Sequence, residues 1–130
     1  MDPVGCCPAL KALAEERLRR YEPPAGARRE TAHWLLSARS KIAAALRAGD
    51  LFRAAYVTSV TSWKILEGIW LSNSKPVPAA GGVWAHLDDL TERPPQECLR
   101  DLFVGEGAAR PDAALQLIDW VLARIEGPRP

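Results

Sequence analysis

A chain of 130 residues with 48% hydrophobic side chains is sized for a single domain with a real core, which excludes a disordered segment. Its formal net charge of +1 excludes the broad basic footprint of a general nucleic-acid binder. The charge is uneven, with ten Lys/Arg against six Asp/Glu in residues 1–60 and seven against ten in residues 61–130.

Helix signals dominate from the start. Pro8 suits a first helical turn, and Leu10, Leu13, Ala14, Leu18 and Tyr21 follow at amphipathic spacing, predicting a helix over about 8–22. "EPPAGA" ends it. A second helix is expected over 28–48, with Thr31, Leu35, Ala38, Ile42, Ala45 and Leu46 on the buried face and Arg29, His33, Ser40 and Arg47 opposite. Gly49 fits the left-handed position just past a helix, and Asp50 is a good N-cap for the next. So short a connection makes an antiparallel hairpin.

The third helix, "DLFRAAYVTSVTSWKILEGIWLSNSK", has no clean polar face. At about 100° per residue, one side carries Phe52, Tyr56, Ser59, Trp63, Leu66 and Trp70. The other carries Ala54, Val57, Thr58, Thr61, Ile65 and Gly68. A helix apolar on both sides is expected at the centre of its bundle, with Trp63 and Leu66 inside. The small side, with Ala54, Thr61 and Gly68, is the expected contact in a homodimer, together with the edge near Trp34. Lys64 and Glu67 stand one turn apart and can close on each other as a solvated pair. Alternatively Glu67 lies in a cleft with Tyr56, Trp63, Lys64 and Trp70 and serves as base or acceptor for a small polar substrate.

"SNSKPVPAAGG" closes the third helix. A short helix at "GVWAHLDDL", another at "TERPPQECLRDLF", and a last one from Pro111 follow, the last burying Ala114, Leu117, Val121 and Ile125. The fold class is all-α: one domain over 1–130, an antiparallel up-and-down four-helix bundle with one or two additional short helices, its core about 28–126.

No phosphate-binding loop, dinucleotide fingerprint, HExxH or nucleophile elbow occurs. Cys6, Cys7 and Cys98 have neither a disulfide framework nor zinc spacing, so no metal and no cofactor are expected. Arg28 and His33 make the one Arg-x4-His spacing, and His86 falls on the short fourth helix. "MDPVGCCPAL" is no signal peptide, and no run of about 18 apolar residues suits a membrane. A cytoplasmic location is expected.

The run from "AHWLLSARSKIAAALRAGD" through "AAYVTSVTSWKILEGIW" to a proline-bearing loop and "HLDDL" resembles a helical family. That family includes HEPN domains and the substrate-binding domains of minimal and antibiotic-type nucleotidyltransferases, the C-terminal domain of kanamycin nucleotidyltransferase among them. The resemblance covers about residues 30–90. HEPN nucleases carry Arg-x(4–6)-His after the "HLDDL" region, whereas no histidine here follows His86. The resemblance therefore implies the other branch, an accessory bundle that works with a nucleotidyltransferase catalytic domain or subunit and is not catalytic alone. Glu67 is the candidate to take the acceptor hydroxyl's proton. The alternatives are a HEPN-like toxin, antitoxin or RNA-associated protein without the nuclease motif, and a helical oligomerisation module.

Overall fold

Two of the predicted hairpin's signals act as the sequence suggests. Gly49 sits at φ 70°, and its amide and that of Asp50 return to the carbonyls of Leu46 and Ala45. These two bonds satisfy carbonyls that would otherwise be orphaned at a helix end. The Asp50 carboxylate accepts the Arg53 amide at 3.0 Å and opens the next helix.

The computed structural model describes residues 7–19, 21–79 and 82–126. Its helices are α1 (Cys7–Arg19), α2 (Ala27–Arg47), α3 (Leu51–Ser72), α4 (Gly82–His86), α5 (Gln96–Val104) and α6 (Ala109–Leu122). A 3-10 turn at Leu87–Asp89 extends α4. No strand occurs among the described residues, so the fold is an all-α helical bundle. No helix among them is long and apolar enough to cross a membrane.

The bundle's heart is α2, α3 and α6 packed on one another, with α5 laid against α6. Leu35, Ala38 and Ile42 from α2 meet Ile65 and Ile69 from α3 and Ala114, Leu117, Ile118 and Val121 from α6. Helix α1 is not among these packed pairs. Its Leu10 and Leu13 are exposed, while Ala14 and Leu18 of its predicted stripe lie outside the described side chains. The predicted faces of α2 and α6 are the buried ones: Thr31, Leu35, Ala38, Ile42 and Ala45 on the first, Ala114, Leu117 and Val121 on the second.

Helix α3 departs from its prediction. Only the small, β-branched side is buried along its length: Ala54, Thr58, Thr61, Ile65 and Gly68. Trp63 is 54% exposed, a correction to its expected place inside, and Leu66 is half-buried against the core. The physical reason is packing distance. Small residues let α3 approach α2 and α6 closely, so the core takes that side and the bulky side turns outward. At Gly68 an added Cβ would lie 2.6 Å from Val121 Cγ1 and 3.3 Å from Leu35 Cδ1. The Ala54, Thr61 and Gly68 side is therefore inside the bundle and cannot be the homodimer contact.

Arg39 on α2 and Asp119 on α6 tie those helices with paired bonds of 2.6 and 3.0 Å. The Arg39 hydrogen bond, aided by its charge, holds the Asp119 carboxyl below the usual carboxylate range. Both side chains are about half exposed, so screening limits the pair to about 0.2–1 kcal/mol. A depressed folded pKa contributes stability above the unfolded carboxyl pKa and loses it as pH falls through the folded value. Asp119→Asn should therefore lower stability slightly at neutral pH and leave it unchanged at the acid end. Chemical denaturation at a series of pH values measures this; an equal loss at every pH would contradict it.

Candidate functional site

The last turn of α3 is locked by its own sequence. Asn73 accepts the Glu92 amide at 2.7 Å and donates to the Glu92 carbonyl at 2.8 Å, while its amide nitrogen also reaches Ile69 O. Lys75 Nζ donates to the carbonyl of Asp89 at 2.7 Å. These bonds hold the segment after α4 against the end of α3. Trp70 is only 3% exposed and joins the core cluster with Val83 and Leu90.

Away from that end nothing among the described residues covers the outer side of α3. Phe52 is 88% exposed, Tyr56 65%, and Val60 and Trp63 54% each. Their spacing puts them on one stripe about three turns long. Trp34 on α2, 51% exposed, stands at its margin, where Lys64 Nζ lies 5.1 Å from the indole centroid. Glu67 Oε2 accepts from Lys64 Nζ at 3.0 Å, the two side chains being 27% and 17% exposed. The ammonium thus has a carboxylate on one side and an aromatic face on the other, a contact worth about 0.5–2 kcal/mol by itself.

The five sequence-predicted site residues therefore separate. Lys64 and Glu67 come together, Tyr56 and Trp63 flank them on the open surface, and Trp70 is inside the core. The expected ligand cleft with Trp70 in its wall is not formed, because that residue is buried in the core cluster with Val83 and Leu90. A cleft of about 750 Å³ lies elsewhere, between the α4 segment and α5. Trp84 and Phe103 meet edge to face there with centroids 5.5 Å apart, and Arg93 pairs with Asp88 at 3.2 Å. None of the five predicted residues lines it. Sequence reading gave Trp84 no role, and its spacing from Phe103 across a loop offers no local signal.

Other reactive groups are engaged structurally. Arg28 Nη2 donates to Ser74 Oγ at 2.5 Å, joining the start of α2 to the loop after α3, and His33 is exposed. Five residues on one helix put them about 140° apart, so they do not converge. His86 contacts its neighbour Asp89 at 2.9 Å. Cys98 donates to Gln116 Oε1 at 3.2 Å, and burial, with Asp101 and Glu97 adding, pushes its thiol pKa up. A raised thiol pKa suits a structural cysteine better than a nucleophile. Among the described residues no three His, Cys, Asp or Glu side chains gather to hold a metal.

No family model, curated protein or solved structure matches this chain.

Proposed function

We propose that this chain is a non-catalytic helical accessory module that acts through protein contact on the outer face of α3, and that the enzyme it serves is a nucleotidyltransferase. One observation carries the contact: the core closes on the opposite side of α3, yet Phe52, Tyr56, Val60 and Trp63 form an unbroken apolar stripe in solvent. A monomer has no use for such a stripe, and large exposed apolar patches mark interaction surfaces. The enzyme class comes from the resemblance of residues 30–90. Tyr56 and Trp63 are then contact residues for a protein and do not line a pocket for a small polar substrate.

The Lys64–Glu67 pair favours the non-catalytic reading. The Glu67 carboxylate already accepts the Lys64 ammonium at 3.0 Å, so a partner within its own helix accounts for its place in an apolar run. With a nucleotidyltransferase catalytic domain reconstituted, Glu67→Gln should keep near-normal turnover and shift melting only slightly. A rate loss of about 10²–10⁴, as removal of a general base produces, would overturn this and restore Glu67 as catalytic. The chain alone should transfer no nucleotide and cleave no RNA. Metal-independent RNA cleavage abolished by His33→Ala would favour the RNA-associated alternative.

A further inference from the structure

The stripe on α3 is self-complementary. At about 200 Å² per aromatic side chain, the exposures of Phe52, Tyr56, Trp63 and Trp34 leave about 500 Å² of aromatic surface in solvent. A stable interface takes about 800 Å² from each partner. Leu51, Val60 and the charged margins supply the remainder from residues already exposed beside the rings. The α3 face and Trp34 of α2 at its margin thus hold most of the apolar area that a specific pair requires.

The charges at its edge select the arrangement. Arg53 and Glu67 are fourteen residues apart, close to four turns, so both lie on the same edge of the stripe. Arg53 has no ion-pair partner among the described residues, although its backbone amide is held by Asp50. Two antiparallel copies of α3 related by a twofold axis keep each edge on its own side. With the axis level with Val60, residues equally far before and after Val60 stand opposite one another. Arg53 of one copy is then level with Glu67 of the other, and the same contact repeats by symmetry. Tyr56 comes within one residue's rise of Trp63 across the interface, and the two Val60 side chains meet at the axis.

We infer that the occupant of this face is a second copy of the chain, packed antiparallel along α3 about Val60, with Arg53 of each copy closing on Glu67 of the other. The inference rests on the α3 face being the module's contact surface, and it names the partner. It also accounts for a carboxylate within an apolar run: Glu67 takes Lys64 in its own chain and Arg53 from its twin. A nucleotidyltransferase catalytic domain would then contact the assembled pair.

Sedimentation of the full chain, free of any partner, tests it. The wild type should sediment as a dimer at micromolar concentration. Arg53→Glu and Glu67→Arg should each weaken association by about tenfold or more through like charges meeting at two symmetric places. The double variant R53E/E67R should regain most of that loss, a rescue that separates the charge contact from general damage. Val60→Asp should give a monomer, and its circular dichroism should stay helical because Val60 is outside the core. A wild-type chain monomeric at high micromolar concentration overturns the inference, as does a dimer indifferent to Val60→Asp. Single charge reversals that weaken the dimer without rescue in the double variant overturn the antiparallel register. A monomer that still captures a separate catalytic domain through Tyr56 and Val60 would keep the accessory reading and remove only the second copy.

Discussion

Replacing Trp70 with Ala lowers stability by about 3–5 kcal/mol, the range for emptying a large core site, whereas Trp63→Ala costs less than about 1 kcal/mol. The two residues are seven apart on α3, nearly two whole turns, so helical geometry puts them on one face. What differs is the chain beyond. Asn73 and Lys75 hold the segment around Asp89 and Glu92 against the end of α3, and Trp70, at 3% exposure, shares the core cluster with Leu90 of that segment. Trp63, two turns earlier, is 54% exposed. Urea melts of the two variants measure the contrast. The comparison is made at low protein concentration, where association adds nothing to apparent stability. Equal losses would mean that Trp70 is no more buried than Trp63.

Adding one methyl at Gly68 is expected to destabilise by about 1–3 kcal/mol, although alanine is the better helix former by about 1 kcal/mol. The new Cβ would lie 2.6 Å from Val121 Cγ1, and a β-branched side chain cannot swing that methyl aside within its rotamer. Helices α3 and α6 must separate, loosening contacts along both. In a Val121→Ala background the clashing methyl is gone, so Gly68→Ala should there become neutral or stabilising. Such coupling lies in the 0.5–3 kcal/mol range found for residues in direct contact. Additive losses in the double variant would mean that Gly68 is needed in this packing for some reason other than space.

Local signals were legible where neighbouring residues settle the outcome. The Gly49–Asp50 hairpin needed only a left-handed glycine and a capping carboxylate, and both act within a few residues of their place in the chain. The stripes of α2 and α6 are apolar on one side alone, so periodicity identified their buried faces. The last helix begins at Ala109, two residues ahead of the expected Pro111, because proline fits a first turn without itself marking the start.

What the sequence by itself determined was an all-α bundle, the antiparallel pairing of α2 with α3, and the closeness of Lys64 to Glu67. Each follows from the pitch of a helix or the length of a turn. Which side of α3 faces the core was decided only by tertiary structure, because both sides are apolar and hydrophobicity cannot rank them. Close packing ranks them instead: two neighbouring helices fit against Ala54, Thr61 and Gly68 and would be held apart by Phe52, Tyr56 and Trp63. The same selection leaves the aromatic side for solvent or a partner, while Trp70 is buried in one cluster with Val83 and Leu90, from a segment tied to α3 by Asn73 and Glu92, nineteen residues apart.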